Sequence, residues 1–112
     1  MDDIIRYLDL TAEAPIPERG IHSQTLSDAD GVTLVLFAFA PGEELSEHTS
    51  ARPAIVHVLL GEAEIAVGED RFTGRPGTWF RMPPGMPHSM RARNPFVMAL
   101  YLLPRPGTAT AG

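Results

Sequence analysis

The sequence contains no cysteine and no lysine. Without cysteine there can be no disulfide, no thiolate metal ligand and no cysteine nucleophile. A bound metal would have to be held by imidazole, carboxylate or water, a donor set open to zinc, iron, nickel, copper and manganese. Without lysine there is no Schiff-base chemistry on an ε-amine, and all nine basic residues are arginines. Long apolar runs are missing too. The longest, Val32 to Ala40, is about half of the roughly 20 residues that a membrane helix needs. No basic segment leading into an apolar stretch opens the chain, so the expectation is a cytoplasmic protein without membrane contact. The formal charge of −5, with the arginines scattered rather than gathered in one basic run, argues against a nucleic-acid partner.

What is present points to one small all-β domain. A chain of 112 residues has room for one continuous core. The apolar fraction of 44% and the charged fraction of 21% are those of an ordinary globular domain. Ile4, Ile5 and Leu8 are spaced for one short amphipathic helical turn, with Asp2 and Asp3 suited to its N-terminus, or else belong to a loosely packed arm. Thr11 to Gly20, with Pro15 and Pro17, reads as an extended connector. After Gly20 the pattern becomes short strands separated by glycine and proline. Strands are expected over Ile21 to Leu26, Val32 to Ala40, Ala54 to Leu60, Ala63 to Val67, Arg71 to Thr73, Thr78 to Met82, His88 to Ala92 and Phe96 to Leu103. The segment Ser27 to Gly31 reads as a turn. Many short, evenly spaced strands mean a sandwich or barrel. The organisation expected is an arm over residues 1–20, a barrel over 21–104 and a flexible tail over 105–112.

Two segments carry a more specific signal. Gly77, five residues, Pro83-Pro84-Gly85, two residues and His88 reproduce the spacing Gly-x5-Pro-x-Gly-x2-His. Physically, a glycine turns the chain into a strand and a rigid Pro-Gly corner redirects it. The histidine then opens the next strand. Earlier, Gly42, five residues, His48 and later Gly61 match part of Gly-x5-His-x-His-x3,4-Glu-x6-Gly. On these two segments the chain resembles small single-domain bacterial cupins of the RmlC-like superfamily, from about Gly20 to Leu103. It is similar to a subgroup with a reduced first-motif ligand set. The resemblance implies a double-stranded β-helix, the jelly-roll barrel, and a homodimer. An open barrel leaves strand edges for a partner copy to cover, and Val32 to Ala40, apolar on both faces, suits such a place.

The resemblance also implies a site. In metal-binding cupins, two histidines and a glutamate of the first motif and the histidine of the second hold one divalent metal. Here His48 and His88 occupy matching positions, while Ser50 stands in the second histidine slot and Ala54 in the glutamate slot. Ala92 replaces the asparagine that ends the second motif, and Asn94 is nearby. Two imidazoles make a weak site, and His57 is the candidate third ligand. Strand alternation places Ala54, Val56 and Val58 inside and His57 outside, unless a bulge near Pro53 reverses the register. Ser50 could hold a water or contact a ligand, with Trp79 and Met90 as candidate ligand contacts. Phe37, Phe39, Phe80, Met82 and Met98 read as further lining or core. Glu43, Glu44 and Glu47 read as a solvated acidic turn, Glu62 and Glu64 as surface residues, and His22 as an ordinary strand residue.

Two functions stay open at this level. One is a metal-dependent enzyme, a dioxygenase or isomerase acting on a small organic molecule. The other is a barrel that binds or senses a small molecule without metal, and Ser50 and Ala54 fit that reading better. A metal-free sugar-nucleotide epimerase ranks below both, because no acidic residue stands at an evident partner position for His88. No organic cofactor is evident. Fold alone does not choose among these.

Overall fold

A computed structural model describes residues 3–105. Nine strands dominate it: β1 (Ile21–Ala29), β2 (Val32–Phe39), β3 (Glu44–His48), β4 (Ala54–Leu60), β5 (Ala63–Val67), β6 (Asp70–Gly74), β7 (Trp79–Met82), β8 (His88–Ala92) and β9 (Phe96–Leu102). They form two antiparallel sheets, β1-β2-β9-β4-β7 and β3-β8-β5-β6. β9 returns between β2 and β4, and β8 between β3 and β5. These long-range insertions are the double-stranded β-helix, so the all-β jelly-roll expectation holds. Among the described residues no helix is long and apolar enough to cross a membrane.

Why each strand sits where it does follows from its residues. β2 and β9 lie inside the larger sheet and are apolar on both faces. Their inner rows, with Phe39 and Phe96 at 0% exposure, join the main core, which includes Val56, Val58, Ile65, Met82 and Met90. Their outer rows, Leu36, Ala38, Val97 and Ala99, form a second cluster closed by Leu10, Ala14 and Ile16 from the N-terminal segment. The apolar run over Val32 to Ala40 therefore does not lie at a free edge awaiting a partner. Its outer face is covered by the chain's own arm, and its edges pair with β1 and β9. Sheet edges go instead to β1, β3, β6 and β7, which carry most of the polar and charged strand residues.

Several boundaries differ from expectation. Ile4, Ile5 and Leu8 are 77%, 65% and 93% exposed and form no helix, so the arm alternative describes them. Among the described residues the one helical turn is a 3-10 turn at Leu10–Glu13, capped by Asp9, across the start of the expected connector. β1 runs on to Ala29, leaving a two-residue hairpin at Asp30-Gly31 with φ of 56° and 81°. Two consecutive left-handed residues match the twist of antiparallel strands, which explains Asp-Gly there. The acidic segment before His48 is strand β3 rather than a turn. Glu44 and Glu47 are exposed on it, and an edge strand with solvent around it shows no apolar alternation to betray it. The tail expected over 105–112 lies beyond Arg105, outside the described residues.

Two polar devices close the barrel's ends. Gly61, at φ 77°, could not carry a side chain, because a Cβ would lie 1.9 Å from the Pro95 carbonyl oxygen. Beside it the Asn94 side chain accepts a hydrogen bond from the Glu62 amide at 2.7 Å, so this asparagine is structural. At the other end the half-buried Arg52 guanidinium donates to the carbonyls of Gly31, Leu102 and Leu103 and to Thr33 Oγ1, at 2.7 to 3.1 Å. It ties the β1–β2 hairpin to the end of β9. Charged donors on otherwise open carbonyls are worth more than neutral ones. Replacing Arg52 with Ala should cost about 2–4 kcal/mol in urea unfolding. Arg52→Lys should recover less than half of that, since an ammonium lacks the planar fork. A loss below about 0.5 kcal/mol for Arg52→Ala would remove this clamp from the account.

Candidate functional site

The geometry of β3 brings the two motif histidines together. Leu45 pairs with Met90 of β8, and His48 pairs with His88, so β3 advances three residues while β8 advances two. That irregularity is a bulge. Side chains alternate along a regular strand, so His48 would point opposite to Leu45 without it. The extra residue turns His48 to the same face as Leu45, Met90 and His88. The ring centroids lie 4.1 Å apart at an interplanar angle of 59°. His88 is 7% exposed and His48 is open to solvent.

Each ring is held by the same local bond. His48 Nδ1 lies 2.8 Å from the Ser46 carbonyl oxygen, and His88 Nδ1 lies 2.9 Å from that of Met86. A carbonyl only accepts, so Nδ1 carries the proton in both rings. In the neutral rings Nε2 is left as a lone-pair acceptor. The i, i−2 relation recurs at both sites. It is visible in sequence only as the spacing of Ser46 and Met86 from their histidines. Burial of the His88 ring pushes its pKa below the ordinary 6.5, opposed by the Met86 carbonyl and reinforced by repulsion from the His48 ring.

The surroundings are apolar and grade from sealed to open. Along β2 the inner row passes from Phe39 at 0% exposure to half-buried Phe37. Along β9 it passes from Phe96 and Met98 to half-buried Leu100 and Leu102, and along β5 from Ile65 to Val67. Val67 pairs with His88, so the histidines stand at the open end. Met86 and Leu45 pack there as well. Surface grooves lie elsewhere. One of about 260 Å³ lies over Ala66, between Arg71 and Arg91, and one of about 380 Å³ lies between Tyr7 and Tyr101. Neither includes a histidine.

The remaining candidates are placed as follows. His57 pairs with Ala99 and Trp79, while its neighbours Val56 and Val58 enter the main core. It is on the outer face and is not brought to His48 and His88. The bulge that could have redirected it lies in β3 instead. Trp79, 58% exposed, is on that same outer face, because Phe80 and Met82 take the inward positions of β7. As a contact inside the barrel it is therefore corrected. Met90 is on the inner row next to His88, 2% exposed, and forms the packed floor beneath the pair. Ser50 Oγ accepts from the Arg52 amide at 3.2 Å, and the Ser50 carbonyl accepts from Gly85 at 2.8 Å. It thereby pins the Pro-Gly corner that positions His88. Arg52, Ser46 and Met86 are the residues that the sequence reading did not single out. Among the described residues no group of three or more histidine, aspartate or glutamate side chains converges.

Comparisons with known proteins agree with this architecture. The family described as Cupin domain matches residues 35–103. A conserved protein of unknown function from Streptococcus pyogenes is 30% identical, with a TM-score of 0.79 over 92% of this chain and 90% of that one. A cupin superfamily protein from Desulfitobacterium hafniense is 26% identical, with a TM-score of 0.81 over 91% and 94%. An RmlC-like cupin from Shewanella frigidimarina, 20% identical with a TM-score of 0.72 over 79% of each chain, shares the fold. No curated protein matches the sequence.

The depressed His88 pKa sets a pH dependence. The unfolded chain takes up a proton near 6.5, whereas the folded ring resists it to lower pH. Between those values the unfolded state binds more protons, so stability falls as pH drops through the window. The urea midpoint of the wild type should fall between pH values of about 7.5 and about 5.5 by more than that of His88→Gln. Parallel losses in the two proteins would show that His88 is not the group responsible.

Proposed function

The chain belongs to the cupin domain family, and from that premise we propose that it binds a small organic molecule at the open end of its barrel. His48 and His88 supply the polar contact. The observation that carries this reading is the pair itself: two imidazoles 4.1 Å apart, each with Nδ1 held by a backbone carbonyl, above an apolar wall. Such a mix of apolar lining and few oriented polar groups is what small-molecule sites share.

The metal that the resemblance implies is tested by the donor set. His48 and His88 are two ligands. Ala54 offers no donor, the Ser50 hydroxyl holds a turn, and His57 is on the opposite face of its strand. Catalytic metal sites keep three or more protein ligands, so these residues do not fit a tightly held ion. No step is routed through one. With no third ligand converging on the pair among the described residues, binding is better supported than a metal-dependent dioxygenase or isomerase reaction. Assembly is proposed as a homodimer, supported by the exposed Trp79 on β7, which ends its sheet.

Elemental analysis of untagged protein, purified without chelators, tests the metal side directly. The expected result is far less than one metal per chain in both the wild type and His48→Ala. Near-stoichiometric metal that disappears in His48→Ala would overturn the metal-free reading and restore the metalloenzyme. In sedimentation equilibrium the same wild-type sample should run at twice the chain mass. A monomer at all concentrations would contradict the assembly proposed.

A further inference from the structure

Resting on the binding site proposed above, we infer that its ligand is an uncharged, hydroxyl-bearing aromatic or enolic molecule rather than a carboxylate, sugar acid or phosphate. Three observations carry this: the wall, the tautomers and the whereabouts of every cation. The pair stands among apolar side chains packed on the main core: Val67, paired with His88, Leu45, paired with Met90, and Met86 on its own sheet and loop, with Phe37, Leu100 and Leu102 on the facing sheet. Each is half-buried, so each has apolar surface still to cover, and a ring or hydrocarbon chain covers it best.

The tautomers decide which polar group the ligand brings. Both Nδ1–H groups are already donated to carbonyls. In the neutral rings the two Nε2 atoms offer lone pairs and no proton. A ligand that meets them has to donate, and a phenol or enol O–H does. A carboxylate or ether oxygen only accepts and would be left unpaired against them, which is costly away from water.

The cations are all placed elsewhere. The chain has no lysine, and its positive side chains are nine arginines. Arg71, Arg81 and Arg91 alternate with inward residues and project from outer faces. Arg75 and Arg93 pair with Glu62 and Glu64. Arg52 is near the open end, but its guanidinium is occupied by four protein acceptors. Arg6 and Arg19 precede the first strand and are exposed, and Arg105, past the last strand, is itself engaged. On the inner-facing row, Asp70 pairs with Val67, which pairs with His88. The charge that this row presents near the site is thus negative. An anion entering here would lose water and gain no counter-charge.

The test uses three probes of similar size at pH about 7.5 with protein labelled at its methionine methyl carbons: p-cresol, p-methylanisole and benzoate. A phenol with a pKa near that of tyrosine, about 10, is neutral there. Met86 is half-buried and holds the His88 ring through its carbonyl, while Met98 is sealed in the core at 1% exposure. The expected result is saturable p-cresol binding that moves the Met86 methyl more than the Met98 methyl. p-Methylanisole, which lacks the donor, should bind about three- to tenfold weaker, and benzoate at least about tenfold weaker. In His48→Phe, a substitution at an exposed position, p-cresol should lose its advantage over p-methylanisole. His88→Gln provides an independent second variant. Benzoate binding as tightly as p-cresol, still dependent on His48, would overturn the uncharged-ligand inference and leave the binding site standing. Equal binding of p-cresol and p-methylanisole in the wild type would overturn the donor requirement. If no probe moved the Met86 methyl, both the inference and the site beneath it would fall.

Discussion

One unmatched residue in β3 is the constraint on which the site depends. Between Leu45 and His48 the strand takes three steps while β8 takes two. That single residue decides whether His48 faces the barrel or the solvent beyond it. Everything else about the pair follows from ordinary antiparallel geometry. The Pro-Gly corner delivers His88 to the start of β8, and the Ser50 carbonyl anchors that corner through Gly85. Two i−2 carbonyls then orient both rings. A bulge at the rim of a barrel is a common way to re-aim one side chain without disturbing the strands around it.

The barrel around the pair is asymmetric along its length. One end is sealed by Phe39 and Phe96, whose rings meet edge to face at 5.3 Å, and by small residues such as Ala63 and Ala92. The other carries the histidines and the half-buried row of Phe37, Leu100 and Leu102. The N-terminal arm makes this possible from outside. By covering Leu36, Ala38, Val97 and Ala99, it lets the two central strands be apolar on both faces. They can then supply an apolar wall inward without leaving an exposed patch outward.

Most of this fold could be read from the sequence because strand punctuation is covalent and local. The Gly77 to His88 spacing specified a turn, a corner and a histidine at the start of the next strand without reference to any partner strand. Alternation correctly placed His57 opposite Val56 and Val58. What could not be read depends on pairing. β3 is an edge strand rich in exposed glutamate, so neither of its faces shows an apolar rhythm. Its bulge exists only relative to β8. Trp79 was misplaced because aromatic character invites an inward assignment, while the inward positions of β7 belong to Phe80 and Met82. The role of Arg52 was hidden for the same reason. Its acceptors lie on segments 19 to 51 residues away.

The central claim is that His48 and His88 face each other with Nδ1 protonated and Nε2 presented to the ligand. Long-range proton–nitrogen correlation NMR on uniformly labelled protein at pH about 8.5, above the ordinary imidazole range, reads both tautomers directly, together with contacts between the two rings. The account predicts protonated Nδ1 and unprotonated Nε2 in both residues, with nuclear Overhauser contacts between the rings. A proton on Nε2 of either histidine, or no contact between the rings, would contradict it.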